Sequence, residues 1–447
     1  MTYDLLIRGG TVVAPGTAPR KLDIGVGDGV IEELGQELPG TAREEIDARG
    51  LHVLPGAVDA HVHLNDPGRT SWEGIETGTR ALAAGGTTSA IDMPLNSQPP
   101  VVDGAAFDAK RECVERLAAV DLALWGGLVP GHLDDMEELA ARGVVGFKAF
   151  MSASGIDEFP RSDDLTLYEG MARAAALGLP VAVHAENETI TAALAARARA
   201  SDRHSVRDYL ASRPAVAEIE AIGRAIALAQ DTGCALHVVH VSTGRGVALV
   251  TEARDRGVDV TCETCPHYLV LTDEDSERLG AIAKCAPPLR PHDEVEALWR
   301  ALARGELPIV ATDHSPAPPE LKRGEDAFEW WGGISGAQTL LALLLTEGYH
   351  GRGRPLELIA SVTSTNPARR FRLSGKGSVA VGADADLVLV DLDAERRLAA
   401  EELEYRHKHS PFVGRSLRAR VVRTLVRGGA SRGRLLKPAP TDPEERP

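Results

Sequence analysis

The sequence predicts an α/β fold, a (β/α)8 barrel of the TIM type, with a small β-sandwich domain built from both chain ends. Two observations lead to this prediction. Between residues 54 and 375, short apolar β-branched runs alternate with longer helical segments rich in alanine, leucine, glutamate and arginine. Such alternation is typical of βα units and a parallel sheet. On either side of this region the pattern is one of strands and turns.

The two chain ends are predicted to supply the β-sandwich. Residues 1–53 contain strand-like runs separated by glycine turns, and Asp28-Gly29 is a hairpin signal. Residues 376–436 return to this pattern, and their run Leu-Val-Arg-Gly-Gly echoes Leu-Ile-Arg-Gly-Gly near the start. Residues 437–447 are rich in proline and charge, and we expect a flexible tail there.

Residues 54–375 are predicted to form the barrel. The first strand ends near Val58, and further apolar runs bring the total to about eight, the number that closes such a barrel. These further runs are residues 87–93, 122–125, 145–150, 181–184, 236–241, 258–261 and 309–313.

Composition excludes several classes of function. The chain of 447 residues carries a formal net charge of −16. An acidic chain has no general electrostatic attraction to nucleic acid or to anionic membranes. We expect neither partner. No secretory signal and no apolar run of the ~20 residues that span a membrane is visible, which predicts a cytoplasmic protein.

The cysteines predict neither a disulfide framework nor a metal cluster. There are five, an odd and scattered set that is typical of reduced thiols. Cys262 and Cys265 form a single Cys-x-x-Cys in a strand-like run, where residues three apart face opposite ways. We therefore expect no structural zinc or redox site there.

His61 and His63 are the first candidates for metal ligation. Residues two apart on a strand point to the same face, so both imidazoles converge on one point. A bare His-x-His is a weak signal by itself, because a polar turn after a buried strand has the same sequence.

Four further polar residues lie at strand ends, where a barrel carries its functional groups. Lys148, His184 and Asp313 each end or interrupt an apolar run. His237 and His240 differ by three and face opposite sides of their strand, and His240 is predicted to be the inward residue because it lies nearer the C-terminal end.

Together these residues predict a site for two metal ions. Zinc binds histidine nitrogen and carboxylate oxygen, and a catalytic zinc needs only three protein ligands, so six groups indicate two ions. A lysine ammonium has no lone pair and becomes a ligand only as the carbamate formed with carbon dioxide, N6-carboxylysine. Zn²⁺ is the expected metal, although Co, Mn, Fe and Ni also suit such ligands.

The same segments carry a family resemblance. The chain resembles the cyclic amidohydrolases of the amidohydrolase superfamily in five motifs: Asp-Ala-His-Val-His, Gly-Phe-Lys-Ala-Phe-Met, His-Ala-Glu-Asn, His-Val-Ser-Thr and Thr-Asp-His-Ser-Pro. The resemblance implies that the more buried metal is held by His61, His63, Lys148 and Asp313. It assigns Lys148, His184 and His240 to the more exposed metal, and it implies a homotetramer.

The implied reaction is hydrolysis of a cyclic amide. Two ions ~3.5–4 Å apart hold a bridging hydroxide, since metal binding lowers the pKa of water towards ~7. Asp313 would take the proton of this hydroxide and hand it to the leaving ring nitrogen, which is otherwise a very poor leaving group.

Within the family, three branches compete. Dihydroorotases tend to read His-x-His-x-Arg, whereas this chain has Asn65, and dihydropyrimidinases tend to carry a tyrosine soon after the lysine, whereas here the next is Tyr168. The branch that opens allantoin to allantoate is similar over residues 67–74, 93–96, 265–268, 284–290, 313–322 and 331–338. A hydantoinase or dihydropyrimidinase acting on another cyclic ureide, and an inactive scaffold of this fold, remain alternatives.

Allantoin is neutral and rich in N–H and C=O groups, so its pocket should offer hydrogen bonds. Asn96, Ser315 and the backbone around Gly333 and Ile334 are the predicted substrate contacts. Turn and cap roles are equally compatible with Asn96 and Ser315. Two sets of residues receive no catalytic role: Arg69, Trp72 and Glu73 shape a loop or touch ligand, and His267 and His314 are supporting residues.

Overall fold

The computed structural model describes residues 2–440, so residues 441–447 of the predicted flexible tail lie outside the described part. The chain opens with five strands: β1 (Thr2–Ala14), β2 (Thr17–Gly27), β3 (Val30–Gly35), β4 (Thr41–Asp47) and β5 (His52–Pro55). The hairpin predicted at Asp28-Gly29 joins β2 to β3. Both turn residues have positive φ, 49° and 77°, as a two-residue turn of this kind requires.

Nine short parallel strands follow between residues 57 and 310. They are β6 (Ala57–Val62), β7 (Thr87–Asp92), β8 (Asp121–Leu124), β9 (Gly126–Gly127), β10 (Phe147–Phe150), β11 (Val181–His184), β12 (Leu236–Val238), β13 (Val260–Thr264) and β14 (Ile309–Val310). They pair in sequence order as β6-β7-β8 and β9 through β14. A bridge between Val62 and His314 links the first of these strands to the segment after the last. This α/β order is consistent with a TIM barrel.

Helices connect and cover these strands. They are α1 (Ile75–Ala84), α2 (Gly104–Leu117), α3 (Met136–Arg142), α4 (Asp164–Leu177), α5 (Glu188–Ala200), α6 (Val206–Ser212), α7 (Ala215–Thr232), α8 (Gly244–Asp255), α9 (Pro266–Val270), α10 (Asp273–Leu279), α11 (His292–Ala303), α12 (Leu340–Leu343), α13 (Leu356–Ala360) and α14 (Asn366–Arg370). Asp103 and Asp163 cap α2 and α4 through side-chain hydrogen bonds to free backbone N–H groups.

Two strands near the C-terminus complete a sheet begun at the N-terminus. β15 (Leu387–Arg397) pairs antiparallel with β16 (Ser416–Leu425) on one side and with β5 on the other. The resulting seven-stranded sheet runs β16-β15-β5-β1-β2-β3, with β4 also on β1. Both ends of the chain therefore build one sheet, as the echoed sequence run suggested.

Three predicted strand runs are displaced in the structure. The run at 258–261 is a strand at Val260–Thr264, and the runs at 236–241 and 309–313 pair only over their first two or three residues. His240 and Asp313 adopt positive φ, 41° and 45°, and this conformation is incompatible with a continuing strand.

A buried lysine joins the parallel strands to the sheet. Lys376 Nζ lies 2.6 Å from Asp121 on β8 and 2.8 and 2.7 Å from Asp384 and Asp386, just before β15. Its side chain is fully buried, and Arg427 also binds Asp121. One cation thus connects two parts of the chain that are far apart in sequence.

No helix within residues 2–440 is long and apolar enough to cross a membrane. All five cysteines are free thiols.

Candidate active site

The six predicted metal ligands come together beside one cavity. It has a volume of about 70 Å³ and lies where the parallel strands end. His61, His63, His184, His240 and Asp313 line it. Lys148 lies just behind, with its Nζ 4.6 Å from the ring centroid of the lining residue Phe150.

His61, His63 and Asp313 form the first group of donors, with ligand atoms all within 4.8 Å of one another. Asp313 Oδ1 lies 3.2 Å from His61 Nε2 and 3.5 Å from His63 Nε2. On the far side of its ring, His61 Nδ1 lies 2.6 Å from Glu263 Oε1. A carboxylate only accepts hydrogen bonds, so His61 donates from Nδ1 to Glu263, and its Nε2 faces Asp313 and the cavity.

His184 and His240 form the second group. His184 Nε2 donates to Glu186 Oε2 at 2.9 Å, and Glu186 is itself held by Arg213. This leaves the lone pair of His184 Nδ1 facing His240 Nε2, 3.1 Å away. The stacked ring of Phe150, 4.7 Å between centroids, keeps the His184 plane in place.

Lys148 is an unusual group for an apolar interior. Its side chain is buried, and its Nζ has no hydrogen-bond partner. Burial lowers the pKa of this amine to about 7, although Asp313 and Glu263 oppose the shift. A neutral amine is the form that reacts with carbon dioxide, so the residue suits conversion to a carbamate.

The protonation states of the other donors also suit metal ions. Burial lowers the pKa of His63, His184 and His240, which favours the neutral imidazole that ligates metals. Burial alone would raise the pKa of Asp313, but the neighbouring His61 and His63 hold it well below its usual range. Nitrogen and carboxylate donors of this kind fit two divalent cations.

Strained backbone accompanies the site. His240 and Asp313 have positive φ and lie two and three residues after the ends of β12 and β14, so the backbone departs from the strand direction at both positions. Such a conformation costs about 1–3 kcal/mol for a residue other than glycine. The surrounding contacts offset it: Asp59 accepts hydrogen bonds from Thr312 N and Oγ1, at 3.0 and 2.5 Å, beside Asp313.

The predicted substrate contacts divide into two groups. Asn96, Ser315 and Gly333 line the cavity, whereas Ile334 is buried outside the lining and its carbonyl accepts from Ser315 N at 3.0 Å. Asn96 also reaches His63, with Nδ2 and Nδ1 separated by 3.3 Å. If His63 presents Nε2 to a metal, its Nδ1 carries the proton. The Asn96 amide, turned by 180°, would then accept a hydrogen bond from this N–H through Oδ1.

Two lysines, the buried Lys284 and the half-buried Lys322, shape the wall of the cavity at residues 328–333. Lys284 Nζ donates to the carbonyls of Phe328 and Trp330, at 3.0 and 2.5 Å. Lys322 Nζ donates to the carbonyls of Trp331 and Gly333, at 2.9 and 2.6 Å. These bonds fix the backbone whose residues Trp331 to Gly333 line the cavity.

The loop after the histidine pair contacts this wall. Trp72 packs edge-on against Trp331, with 4.6 Å between ring centroids, and the guanidinium of Arg69 lies over Trp72. Glu73 is fully buried and accepts from Arg406 N at 3.0 Å, so it supports the loop and is not a cavity residue.

The two histidines left without a catalytic role do not line the cavity. His314 Nδ1 accepts from the backbone of Gly336 at 3.2 Å, while burial lowers the pKa of His267 to about 4.

Sequence reasoning missed several residues that support the site. They are Asp59, Glu186, Arg213, His237 and Glu263. A signal was present for three of them, because Asp59, Glu186 and Glu263 place a carboxylate in or next to an apolar strand run, where a charge needs partners.

Comparison with known proteins defines the class. Residues 52–430 match the amidohydrolase family, and the chain belongs to that family. Among curated relatives it is 64% identical over 426 residues to an allantoinase of Rubrobacter xylanophilus, covering 95% of this chain and 93% of the relative. It is 56% identical over 425 residues to an allantoinase of Solibacter usitatus, with coverage of 95% and 93%.

A solved structure gives the same class. The L-hydantoinase (dihydropyrimidinase) from Arthrobacter aurescens superposes with a TM-score of 0.93 and 35% sequence identity. The match covers 97% of this chain and 100% of the hydantoinase. The fold is therefore an amidohydrolase fold over nearly its whole length.

Proposed function

We propose that this chain is an allantoinase, which hydrolyses the cyclic amide bond of allantoin to give allantoate. The observation that carries the proposal is the convergence of four histidines, Lys148 and Asp313 on one cavity at the ends of parallel strands. The identity of 64% to an allantoinase over most of both chains supports the choice of substrate.

The proposed ligand sets follow the two donor groups. His61, His63, Lys148 and Asp313 would hold one divalent ion, and Lys148, His184 and His240 the other, with Lys148 as N6-carboxylysine. Zn²⁺ is the first choice, and Co, Mn, Fe or Ni would suit the same donors. When bound, such ions supply Lewis acidity, which lowers the pKa of a water molecule towards ~7 and polarises a carbonyl.

Asp313 is the proposed proton carrier. Its Oδ1 lies near both His61 and His63 at the cavity surface, and its low pKa keeps it in the carboxylate form that a proton acceptor needs. The same oxygen would then donate the proton to the ring nitrogen as the amide bond breaks. Without this transfer the nitrogen would leave as a strongly basic anion.

The remaining walls suit a small neutral ureide. Asn96, Ser315 and the backbone of Gly333 offer hydrogen bonds, while Phe150 and Trp331 offer apolar faces. No arginine among residues 2–440 lines this cavity, so it has no guanidinium to hold a substrate carboxylate. This argues against a dihydroorotase.

The finer architecture belongs to the same proposal. We infer a closed (β/α)8 barrel over residues 54–375 and a sandwich formed by residues 1–53 and 376–436. A homotetramer is the expectation from family resemblance, and a cytoplasmic location is the expectation from the sequence.

A hydantoinase acting on another cyclic ureide is the second candidate, because the fold matches the Arthrobacter aurescens L-hydantoinase with a TM-score of 0.93. The test is turnover of racemic allantoin, hydantoin and dihydrouracil by one purified sample. The proposal expects allantoin to be the fastest, and faster turnover of either other ring would replace it with the second candidate.

An inactive scaffold is the third candidate. The presence of all six donors argues against it. A buried lysine whose Nζ has no hydrogen-bond partner is costly, and an inactive scaffold gains nothing in return for this cost. Absence of both bound transition metal and turnover in the purified protein would support it.

A further inference from the structure

A chain of buried polar side chains runs behind the metal-facing side of His61. Glu263 Oε1 accepts from His61 Nδ1 at 2.6 Å, and its other oxygen, Oε2, accepts from His237 Nε2 at 3.0 Å. His237 Nδ1 accepts in turn from Thr261 Oγ1 at 2.8 Å. The side chains of His237 and Glu263 are fully buried.

The strand register builds this chain. His237 on β12 and Thr261 on β13 are direct partners across the parallel pair. Glu263 follows Thr261 by two residues on β13, so both point to the same face. The three side chains therefore stand in a row that ends at His61 on β6.

The hydrogen bonds fix each ring in one orientation. Because a carboxylate only accepts, His61 and His237 must each present an N–H to Glu263. His237 cannot turn away, since Thr261 holds its other nitrogen and Phe371 packs edge-on at 5.3 Å between ring centroids. Glu263 is thus held in place, and it keeps the His61 ring in the plane that points Nε2 towards Asp313, 3.2 Å away.

The charge of Glu263 also points to a cation at His61. Within residues 2–440 its ion-pair partners are His61 and His237, and no lysine or arginine lies within 4.0 Å of its oxygens. A buried carboxylate without a full counter-charge is costly. A divalent ion on His61 Nε2 would supply that charge through the ring.

We propose that Glu263 and His237 are positioning residues for the metal ligand His61, with Glu263 fixing its tautomer and ring plane and His237 fixing Glu263. Neither residue touches substrate. The inference rests on the two-metal site proposed above. It states that Glu263 and His237 determine how tightly His61 holds its metal ion.

The test measures metal release, in addition to activity. Glu263→Gln keeps the shape but removes the charge, and His237→Leu removes the N–H that holds the carboxylate. His237→Gln is the conservative variant, since its amide N–H falls near the position of Nε2. Loss of such a supporting partner typically weakens metal affinity about 10- to 100-fold. Asp23→Asn, a buried carboxylate of β2 that binds Arg8, is the matched control far from the site.

We expect Glu263→Gln and His237→Leu to release one of the two ions to a chelator about 10-fold faster than wild type, or more. His237→Gln should fall between His237→Leu and wild type, and Asp23→Asn should match wild type. Wild-type release rates in both variants would overturn the inference. So would an equal loss of both ions accompanied by the same fall in melting temperature without metal, because that pattern indicates a general packing role.

A second measurement needs no variant. In wild-type protein with ¹⁵N-labelled histidine and bound zinc, the His61 signals should report a proton on Nδ1, hydrogen-bonded to a carboxylate. A proton on Nε2 would overturn the inference. If wild-type protein holds no metal at all, the proposed function fails. If wild-type protein holds two ions and the Glu263 and His237 variants release them at the wild-type rate, the positioning inference fails and the proposed function stands.

Discussion

Lys148 shows how a single side chain determines the chemistry available to this site. A lysine in a fully apolar strand destabilises most folds, because its ammonium group loses its hydration and gains no partner. Here the amine has no hydrogen-bond partner and interacts electrostatically with His184 and His240, and a carbamate at this position would give both observations a purpose. The sequence identified the residue, while its complete burial and its lack of a hydrogen-bond partner came from the structure.

Replacing Lys148 by alanine should abolish metal binding and turnover together. The carbamate is proposed to contribute to both ions, so its loss removes a ligand from each. A short-chain carboxylic acid such as propionate should partly restore both properties by occupying the vacated space. Metal analysis and allantoin turnover with and without propionate measure this, and near-normal metal content in the unrescued variant would contradict it.

The pH dependence of Lys148 modification has a defined sign. Burial lowers the pKa of its amine to about 7, and only the neutral amine attacks carbon dioxide, forming the carbamate and releasing one proton. At a fixed partial pressure of ¹³C-labelled carbon dioxide, the carbamate signal of metal-free protein should therefore rise as the pH increases through 7. Lys148→Ala is the control. A signal that is constant or falls over this range would contradict the assignment.

Asp313→Asn should separate metal binding from catalysis. The amide keeps an oxygen at the site but cannot accept and return a proton, so at least one ion should remain while turnover falls about 10²–10⁴-fold. Metal content and turnover are measured on the same sample. Turnover close to wild type would show that another group carries the proton.

Residue-level reasoning from sequence could select the candidate metal donors but not the residues that support them. His61, His63, Lys148, His184, His240 and Asp313 could be chosen because each lies near the end of an apolar run. Glu263 could not be chosen, since its role depends on a contact with His61, 202 positions away in the chain. Partners that are distant in sequence likewise determine which ring nitrogen of each histidine is available to a metal ion.

At the scale of elements, strand boundaries were the weakest part of the prediction. Apolar runs located the strands, but His240 and Asp313 leave the ladder through positive φ, which their sequence does not signal. The same departures turn both side chains towards the cavity. The predicted strands were too long at the positions where function requires the backbone to bend.

Lys376 should be a major contributor to stability, because it is the cation shared by three acidic side chains between β8 and β15. Lys376→Met would leave these three carboxylates buried without the ammonium group. Loss of one partner from a buried ion pair typically lowers the free energy of unfolding by about 3–5 kcal/mol. Urea unfolding of the metal-loaded protein measures this. The exposed Lys21→Ala should change stability by no more than about 0.5 kcal/mol. An equally small effect for Lys376→Met would contradict the role.

At the scale of the whole molecule, the alternation of strand and helix patterns was enough to predict an α/β fold with the site at one end of the parallel strands. The N- and C-terminal runs also proved to share one sheet. The order of strands within that sheet could not be predicted, because β1 pairs with β2, β4 and β5 at once and only packing selects that arrangement.

The allantoin assignment depends on features spread over the molecule, from the loop carrying Trp72 to the wall carrying Trp331. Their contact joins two segments that were singled out separately in the sequence. The choice of allantoin therefore rests on segments that are far apart in sequence and on the similarity to allantoinases, whereas the six candidate donors indicate only the class of reaction.

The most direct test of the whole account is a metal titration of chelator-stripped protein with allantoin turnover and bound metal measured on the same samples. The account predicts no ring opening without metal and a rise in allantoate formation that saturates at two Zn²⁺ per chain. Full turnover in metal-free protein, or two bound ions with no turnover of allantoin, would contradict it.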